Sequence, residues 1–128
     1  MFLDTSIIVD IFRFEKGHRT FEEIYGFIKD EPLFISVFQF VEISDWCLGN
    51  KVDRADRVQK LKEIVNVIPL SEKICVGGAG IKHEMRRRKV SKFSLSDGII
   101  LASARSIGQR LLTSDSDFRK CDDAIVIG

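Results

Sequence analysis

The chain has 128 residues, of which 45% are hydrophobic and 30% charged, a composition typical of one globular domain with its own core. Its net charge of +1 does not indicate a polyanionic partner, and its three cysteines form no CxxC pair, which argues against a disulfide framework or a zinc site. No apolar run could span a bilayer, and no basic signal-peptide leader is present in the opening segment, MFLDTSIIVDIF. We therefore expect a cytoplasmic protein without a membrane partner, with the cysteines in the core and both histidines on the surface.

The first segment predicts a strand followed by two helices. Residues 1–3 are apolar and end at Asp4, after which Thr5 or Ser6 can cap a helix. Apolar side chains then recur with helical spacing in two groups, first Ile7, Ile8 and Ile11, and later Phe21, Ile24, Tyr25 and Ile28. This order of elements is the beginning of a strand and helix alternation.

The alternation continues after Pro32, which interrupts the helical pattern. Residues 33–35 predict a buried strand, Ser36 is the expected cap of the next helix, and that helix covers residues 37–48. Asp53 is the expected cap of a further helix with an apolar face at Val58, Leu61, Ile64 and Val65.

A short strand at residues 67–69 and a long helix at residues 71–88 come next. The helix contains Gly77, Gly78 and Gly80, each of which costs roughly 1 kcal/mol of helix propensity relative to Ala. The segment GGAGIKHE fits neither of the glycine-rich phosphate-binding patterns. We therefore expect these glycines to allow close packing against a neighbouring element.

The last third predicts one helix and two strands. Ser94 or Ser96 caps a helix that is apolar almost all round, followed by strands at residues 110–113 and 124–127, the second at or near an edge. Strands that alternate with helices predict a three-layer α/β domain over residues 1–128, with a parallel sheet between helices. Sites in such folds lie beyond the carboxyl ends of the strands.

Acidic residues lie where strands end or helices begin, namely Asp4, Glu42, Asp97, Asp115 and Asp117. Each alone has a structural explanation, such as a helix cap, a favourable helix dipole or an Asx-turn. If four carboxylates met within about 5 Å, repulsion would cost roughly 3 kcal/mol per pair at an effective dielectric near 20. Such a cluster requires divalent cations, so the leading hypothesis is a metal-dependent enzyme.

Basic residues are concentrated just before the third acidic position, at Lys82, Arg86, Arg87, Arg88, Lys89 and Lys92. This group could bind the phosphates of a nucleic acid. It could equally be the solvated end of a helix, where cations complement the helix dipole. Both interpretations stay open from the sequence.

Four segments carry a family resemblance: MFLDTS, ISVFQFVEIS, SLSDGIILASA and LLTSDSDF, in this order along nearly the whole chain. Together they resemble the PIN-domain ribonucleases, especially the VapC-like toxins of toxin–antitoxin pairs. The resemblance implies a five-stranded parallel sheet and an acidic quartet of Asp4, Glu42, Asp97 and Asp115, with Asp117 assisting or substituting. It also implies that Thr5, Ser6 and Thr113 are accompanying hydroxyl residues.

The same resemblance implies chemistry and partners. Family members typically use Mg²⁺ or Mn²⁺ to hydrolyse RNA, with Asp4, Asp97 and Asp115, and Asp117 in its assisting role, as metal ligands. Glu42 would bind metal or orient the attacking water. VapC-like proteins usually form homodimers and accept an antitoxin protein, so both partners are expected. The alternative is a catalytically inactive PIN-fold module for RNA binding or assembly.

Overall fold

Five parallel strands form the central sheet of the computed structural model, which describes residues 1–128. The strands are β1 (Phe2–Leu3), β2 (Phe34–Ser36), β3 (Asn66–Ile68), β4 (Leu111–Thr113) and β5 (Ala124–Val126). Their order across the sheet is β3-β2-β1-β4-β5, and every neighbouring pair is parallel. The predicted five-stranded parallel sheet is therefore confirmed, with β5 at an edge.

Six helices connect and cover the strands. They are α1 (Thr5–Arg13), α2 (Arg19–Ile28), α3 (Gln39–Gly49), α4 (Arg54–Ile64), α5 (Glu72–Arg87) and α6 (Leu95–Ser106), and a 3₁₀ turn covers Ser116–Phe118. The side chains of Asp53, Ser71 and Ser94 cap α4, α5 and α6 by accepting bonds from backbone N–H groups. The sequence predicts the cap at Asp53 and offers Ser94 as one of two candidates, whereas Ser71 was expected to be the first residue of its helix.

Two predicted helix caps are wrong. Thr5 or Ser6 was expected to cap α1, but both lie inside that helix. Ser36 was expected to cap α3, but it is the last residue of β2, and α3 begins at Gln39. The Ser36 hydroxyl instead accepts a bond of 3.1 Å from the N–H of Phe38. The turn between β2 and α3 is thus one residue longer than the sequence pattern indicates.

Alternating strand residues divide the core between the two faces of the sheet. Leu3, Ile35 and Leu112 pack with buried side chains of α1, α2, α3 and α4. Phe2 and Leu111 point the other way and pack with buried side chains of α5 and α6. This period of two builds the three-layer arrangement, helices on sheet on helices.

The glycine pattern in α5 has a specific cause at one position. A Cβ atom at Gly78 would lie 2.9 Å from the backbone nitrogen of Ile99, and one at Gly98 would lie 2.1 Å from the carbonyl oxygen of Gly78. The two helices therefore cross backbone to backbone, which confirms the predicted close packing. Gly80 has no atom within 4 Å of its Cβ direction, so packing does not explain that glycine.

The cysteine prediction holds for two of three residues. Cys47 and Cys121 are buried, whereas Cys75 is exposed on the outer side of α5. Both histidines are exposed, as expected, and His18 caps α2 through its ring nitrogen, which accepts from the N–H of Thr20 at 3.1 Å. No helix has the length and apolar character needed to cross a membrane.

The strand order places two carboxyl ends side by side. The chain moves from β1 outward through β2 to β3, then returns to the opposite side of β1 with β4. Crevices in open parallel sheets form at such a reversal, beyond the strand ends. Asp4 directly follows β1, and Asp115 follows β4 after one intervening residue, so both lie at this reversal.

Candidate functional site

Asp4 is a buried carboxylate held by two hydroxyl groups. It is 5% exposed and precedes α1, yet its side chain makes no capping bond to that helix. Its Oδ2 atom accepts bonds from Ser6 Oγ at 2.8 Å and from Thr113 Oγ1 at 2.6 Å. Burial raises the pKa of Asp4, while these hydroxyl bonds oppose the rise. Asp4 therefore occupies the cap position of α1, but its carboxylate does not cap the helix, contrary to the structural explanation.

The hydroxyl residues also join β1 to the loop after β4. Thr113 Oγ1 accepts from the N–H of Asp115 at 3.0 Å while it donates to Asp4. Ser6 Oγ accepts from the N–H of Ser114 at 3.1 Å. These bonds hold the start of the Asp115 loop against the end of β1.

Glu42 lies in the first turn of α3 and is half-buried. Its Oε1 atom accepts a bond of 2.8 Å from Thr5 Oγ1, which brings α1 and α3 together at the site. Burial raises the pKa of Glu42, and the negative charge of Asp97 adds to that rise. The neighbouring acidic residue Asp45 is exposed.

Asp97 lies in the first turn of α6 and shares a capping box with Ser94. Asp97 Oδ2 accepts from the Ser94 N–H at 2.9 Å, and Ser94 Oγ accepts from the Asp97 N–H at 3.1 Å. Burial raises the pKa of Asp97 to about 6, with further contributions from the charges of Asp4 and Asp115. Asp97 thus caps α6 and also lies close enough to Asp4 and Asp115 for their negative charges to raise its pKa.

Asp97, Asp115 and Asp117 form the tightest group, because one carboxylate oxygen from each lies within 4.8 Å of the others. Asp115 Oδ1 also accepts a bond of 2.9 Å from the N–H of Asp117, which is the Asx-turn predicted as a structural alternative. Both aspartates of the TSDSDF segment therefore approach Asp97, and the turn itself brings them there.

No cation compensates this negative charge within the protein. The three salt bridges of the structure join Lys60 to Asp56, Arg87 to Glu84, and Arg105 to Asp123, and none of them includes a carboxylate of the acidic site. The site offers carboxylate and hydroxyl oxygens, the donor set that suits Mg²⁺ and Mn²⁺. The residues present therefore fit a hard divalent cation.

The basic group has two different parts. Arg86 donates to the carbonyl of Phe93 at 2.9 Å, Arg87 pairs with Glu84, and Arg88 donates to the carbonyl of Lys120 at 3.0 Å. In contrast, the side-chain ammonium groups of Lys82, Lys89 and Lys92 form no hydrogen bond or salt bridge with the protein. The arginines have local structural roles, and the RNA-binding prediction now depends mainly on the lysines.

Sequence reasoning missed Gln39, which is completely buried beside Thr5 and Glu42. A glutamine inside the apolar run VFQFVE, three residues before Glu42, was the available signal, because that spacing puts both side chains on one face of a helix. Ser94 was one of two candidate caps, with Ser96, and its reciprocal bond with Asp97 was not predicted.

Comparison with known proteins places this geometry in a family. A family model described as PIN domain matches residues 1–124. A comparison with curated proteins found no match.

Several solved structures share the fold. A toxin–antitoxin complex from Klebsiella pneumoniae is 21% identical with a TM-score of 0.76, covering 98% of this chain and 95% of that chain. VapBC-1 from nontypeable Haemophilus influenzae is 20% identical with a TM-score of 0.70, covering 98% and 95%. FitAcB from Neisseria gonorrhoeae is 17% identical with a TM-score of 0.68, covering 98% and 96%. Since the family model spans nearly the whole sequence and the fold agrees, this chain belongs to the PIN domain family.

Proposed function

We propose that the protein is a metal-dependent endoribonuclease and the toxin of a VapBC-type toxin–antitoxin pair. PIN domains are generally nucleases, which supports the reaction class. The observation that carries the proposal is the group of Asp97, Asp115 and Asp117, whose carboxylate oxygens lie within 4.8 Å of one another and form no salt bridge with a basic side chain. Binding a divalent ion removes the repulsion that such a group otherwise costs.

The proposed metal ligands are Asp4, Asp97 and Asp115, with Asp117 assisting or substituting for Asp115. When bound, Mg²⁺ or Mn²⁺ supplies Lewis-acid stabilisation of the charge that develops on the phosphodiester. Side chains of the protein carry out the remaining steps. Glu42 orients the attacking water and accepts its proton, a role that its raised pKa favours because the carboxylate becomes a stronger base.

The hydroxyl residues keep these carboxylates in place. Ser6 and Thr113 fix one oxygen of Asp4 and leave the other without a side-chain bond, and Thr5 fixes one oxygen of Glu42. A side chain held by short bonds loses little freedom when it binds an ion or a water molecule. The supporting hydroxyls therefore contribute preorganisation rather than chemistry.

Phosphate binding is assigned to lysines at the end of α5 and in the loop that follows. The acidic site repels the phosphates of RNA, so binding requires cations nearby. Lys82, Lys89 and Lys92 are free to supply that charge, because none of them is paired within the protein.

An antitoxin protein and a second copy of the chain are the proposed partners. The similar solved structures include a toxin–antitoxin complex and VapBC-1, which supports an antitoxin partner for this fold. Large apolar side chains on the helix surfaces support protein contacts as well, since Val41, Leu48 and Val76 are each at least 65% exposed. Phe12 packs near Trp46 with ring centroids 6.2 Å apart. We expect the complex to act in the cytoplasm.

The test is RNA cleavage with two matched variants of α3. Glu42→Gln removes the proposed base, whereas Asp45→Asn removes an exposed carboxylate from the same helix. With Mn²⁺ we expect wild type and Asp45→Asn to cleave a mixed RNA substrate, and Glu42→Gln to be slower by roughly 10²- to 10⁴-fold. Cleavage that survives EDTA or Glu42→Gln would refute the proposal, and absence of cleavage by all three would favour the inactive module.

A further inference from the structure

Gln39 connects the ends of two strands to the acidic site. It is the first residue of α3 and is completely buried. Its amide nitrogen donates to the carbonyl of Leu3 at 2.8 Å and to Thr5 Oγ1 at 3.3 Å, and its amide oxygen accepts from the N–H of Ser36 at 2.8 Å. Leu3 ends β1, Ser36 ends β2 and Thr5 begins α1.

The surrounding groups fix which way the amide faces. The Ser36 N–H can only donate, so it requires the amide oxygen. The Leu3 carbonyl can only accept, so it requires the amide nitrogen. The two backbone contacts thus hold the Gln39 amide in one orientation, with its nitrogen towards Thr5.

This orientation determines the direction of the next bond. A threonine hydroxyl has one hydrogen and two lone pairs, whereas the Gln39 nitrogen can only donate. The Thr5 oxygen therefore accepts from Gln39, and its single hydrogen is left for Glu42 Oε1, 2.8 Å away. No protein group donates to the second oxygen of Glu42, Oε2, which stays free for the reaction.

We propose that Gln39 is a positioning residue that acts through Thr5: it directs the Thr5 hydroxyl to donate to Glu42 and so holds Glu42 with Oε2 facing the reacting water. The proposal rests on the nuclease function proposed above. Gln39 does not touch the substrate itself. Its side chain also ties β1 to β2, so its contribution to catalysis has to be separated from its contribution to stability.

The kinetics of a double-mutant cycle separate the contribution of Gln39 to catalysis from its contribution to stability. Gln39→Leu removes the amide, and Thr5→Val removes the hydroxyl through which it acts. At saturating Mn²⁺ we expect each single variant to lower kcat for RNA cleavage by roughly 10-fold with little change in KM. In the Thr5→Val background, Gln39→Leu should change kcat by less than about 2-fold, although it still lowers stability towards urea.

Thr5→Ser is the conservative control, because it keeps a hydroxyl group. In this background Gln39→Leu should again lower kcat by roughly 10-fold. Losses in kcat that multiply in the Thr5→Val background, or an unchanged kcat in Gln39→Leu, would overturn the proposal. If Gln39→Leu does not fold, Gln39→Met keeps the side-chain length and carries the same comparison.

NMR measurement of how fast the Thr5 hydroxyl proton exchanges with water tests the proposal independently of activity. We expect this proton to exchange slowly with water in the wild type and rapidly in Gln39→Leu, while the Thr113 hydroxyl proton, bonded to Asp4, stays protected in both. Unchanged protection of the Thr5 proton in Gln39→Leu would overturn the proposal. A wild type that shows the protected proton but does not cleave RNA would refute the nuclease function and leave the role of Gln39 in orienting Glu42 supported.

Discussion

Replacement of Asp97 by Asn should stabilise the metal-free protein at neutral pH. The pKa of Asp97 is raised from its ordinary value of 3.8 to about 6, chiefly by burial. The charged form is therefore disfavoured in the folded state, and wild-type stability falls as pH rises through this window. Asn carries no charge, and its side-chain oxygen can still accept the bond from the Ser94 N–H, so the capping contact is kept.

The expected size of the effect follows from the pKa. A rise of about two pH units corresponds to an upper limit of ~3 kcal/mol for an isolated, unscreened group. Asp97 is only partly buried, so solvent screening reduces this figure to roughly 1–2 kcal/mol. We expect Asp97→Asn to raise the free energy of unfolding by that amount at pH 7, and to have little effect at pH 3.5, below the ordinary pKa of 3.8, where this carboxyl is mostly protonated in both the folded and the unfolded state.

Urea unfolding in EDTA at pH 7 and at pH 3.5 measures this difference. Asp45→Asn is the matched control, because its carboxylate is exposed, and it should change stability by less than about 0.5 kcal/mol at either pH. A loss of stability in Asp97→Asn at pH 7, or an equal gain at both pH values, would show that burial of charge at Asp97 does not destabilise the apoprotein.

Two further predictions concern packing and RNA binding. Gly78→Ala should destabilise the fold by about 1–3 kcal/mol, because its Cβ meets the backbone of α6, whereas Gly80→Ala lies in open space and should stabilise the fold by roughly 0.5–1 kcal/mol. Thermal unfolding of both variants measures these changes, and equal effects would contradict the close packing of α5 on α6. Replacing both Lys89 and Lys92 by Gln should reduce the slope of the logarithm of the RNA-binding constant against the logarithm of salt concentration by about 1.4, and Arg87→Gln should reduce it by less. Fluorescence anisotropy at several salt concentrations measures these slopes. Equal changes would argue against phosphate binding by the lysines.

Much of the fold could be predicted because its signals are local. The caps Asp53, Ser71 and Ser94 lie next to the helices they start, and each bonds within three residues. The acidic site followed from one topological rule, that parallel strands end at a common edge, applied to Asp4 and Asp115. Neither inference needed knowledge of distant contacts.

The remainder depended on contacts that the sequence does not reveal. The proposed role of Gln39 depends on its bond to Leu3, 36 residues away, and Arg88 donates to the carbonyl of Lys120, 32 residues away. The exposure of Cys75 depends on which face of α5 meets α6, and the contact of Gly78 with Gly98 sets that face. Periodicity gives the faces of a helix, but a second helix decides which of them is covered.

Binding of Mn²⁺ is the sharpest test of a divalent metal site at these carboxylates, because it probes the acidic site without a substrate. The free Mn²⁺ signal in electron paramagnetic resonance should fall when wild-type protein is added, and Asp45→Asn should behave in the same way. Asp97→Asn removes one charge from the group formed with Asp115 and Asp117, so it should bind Mn²⁺ at least 10-fold more weakly. A wild type that does not bind Mn²⁺, or an Asp97→Asn variant that binds it equally well, would contradict the account.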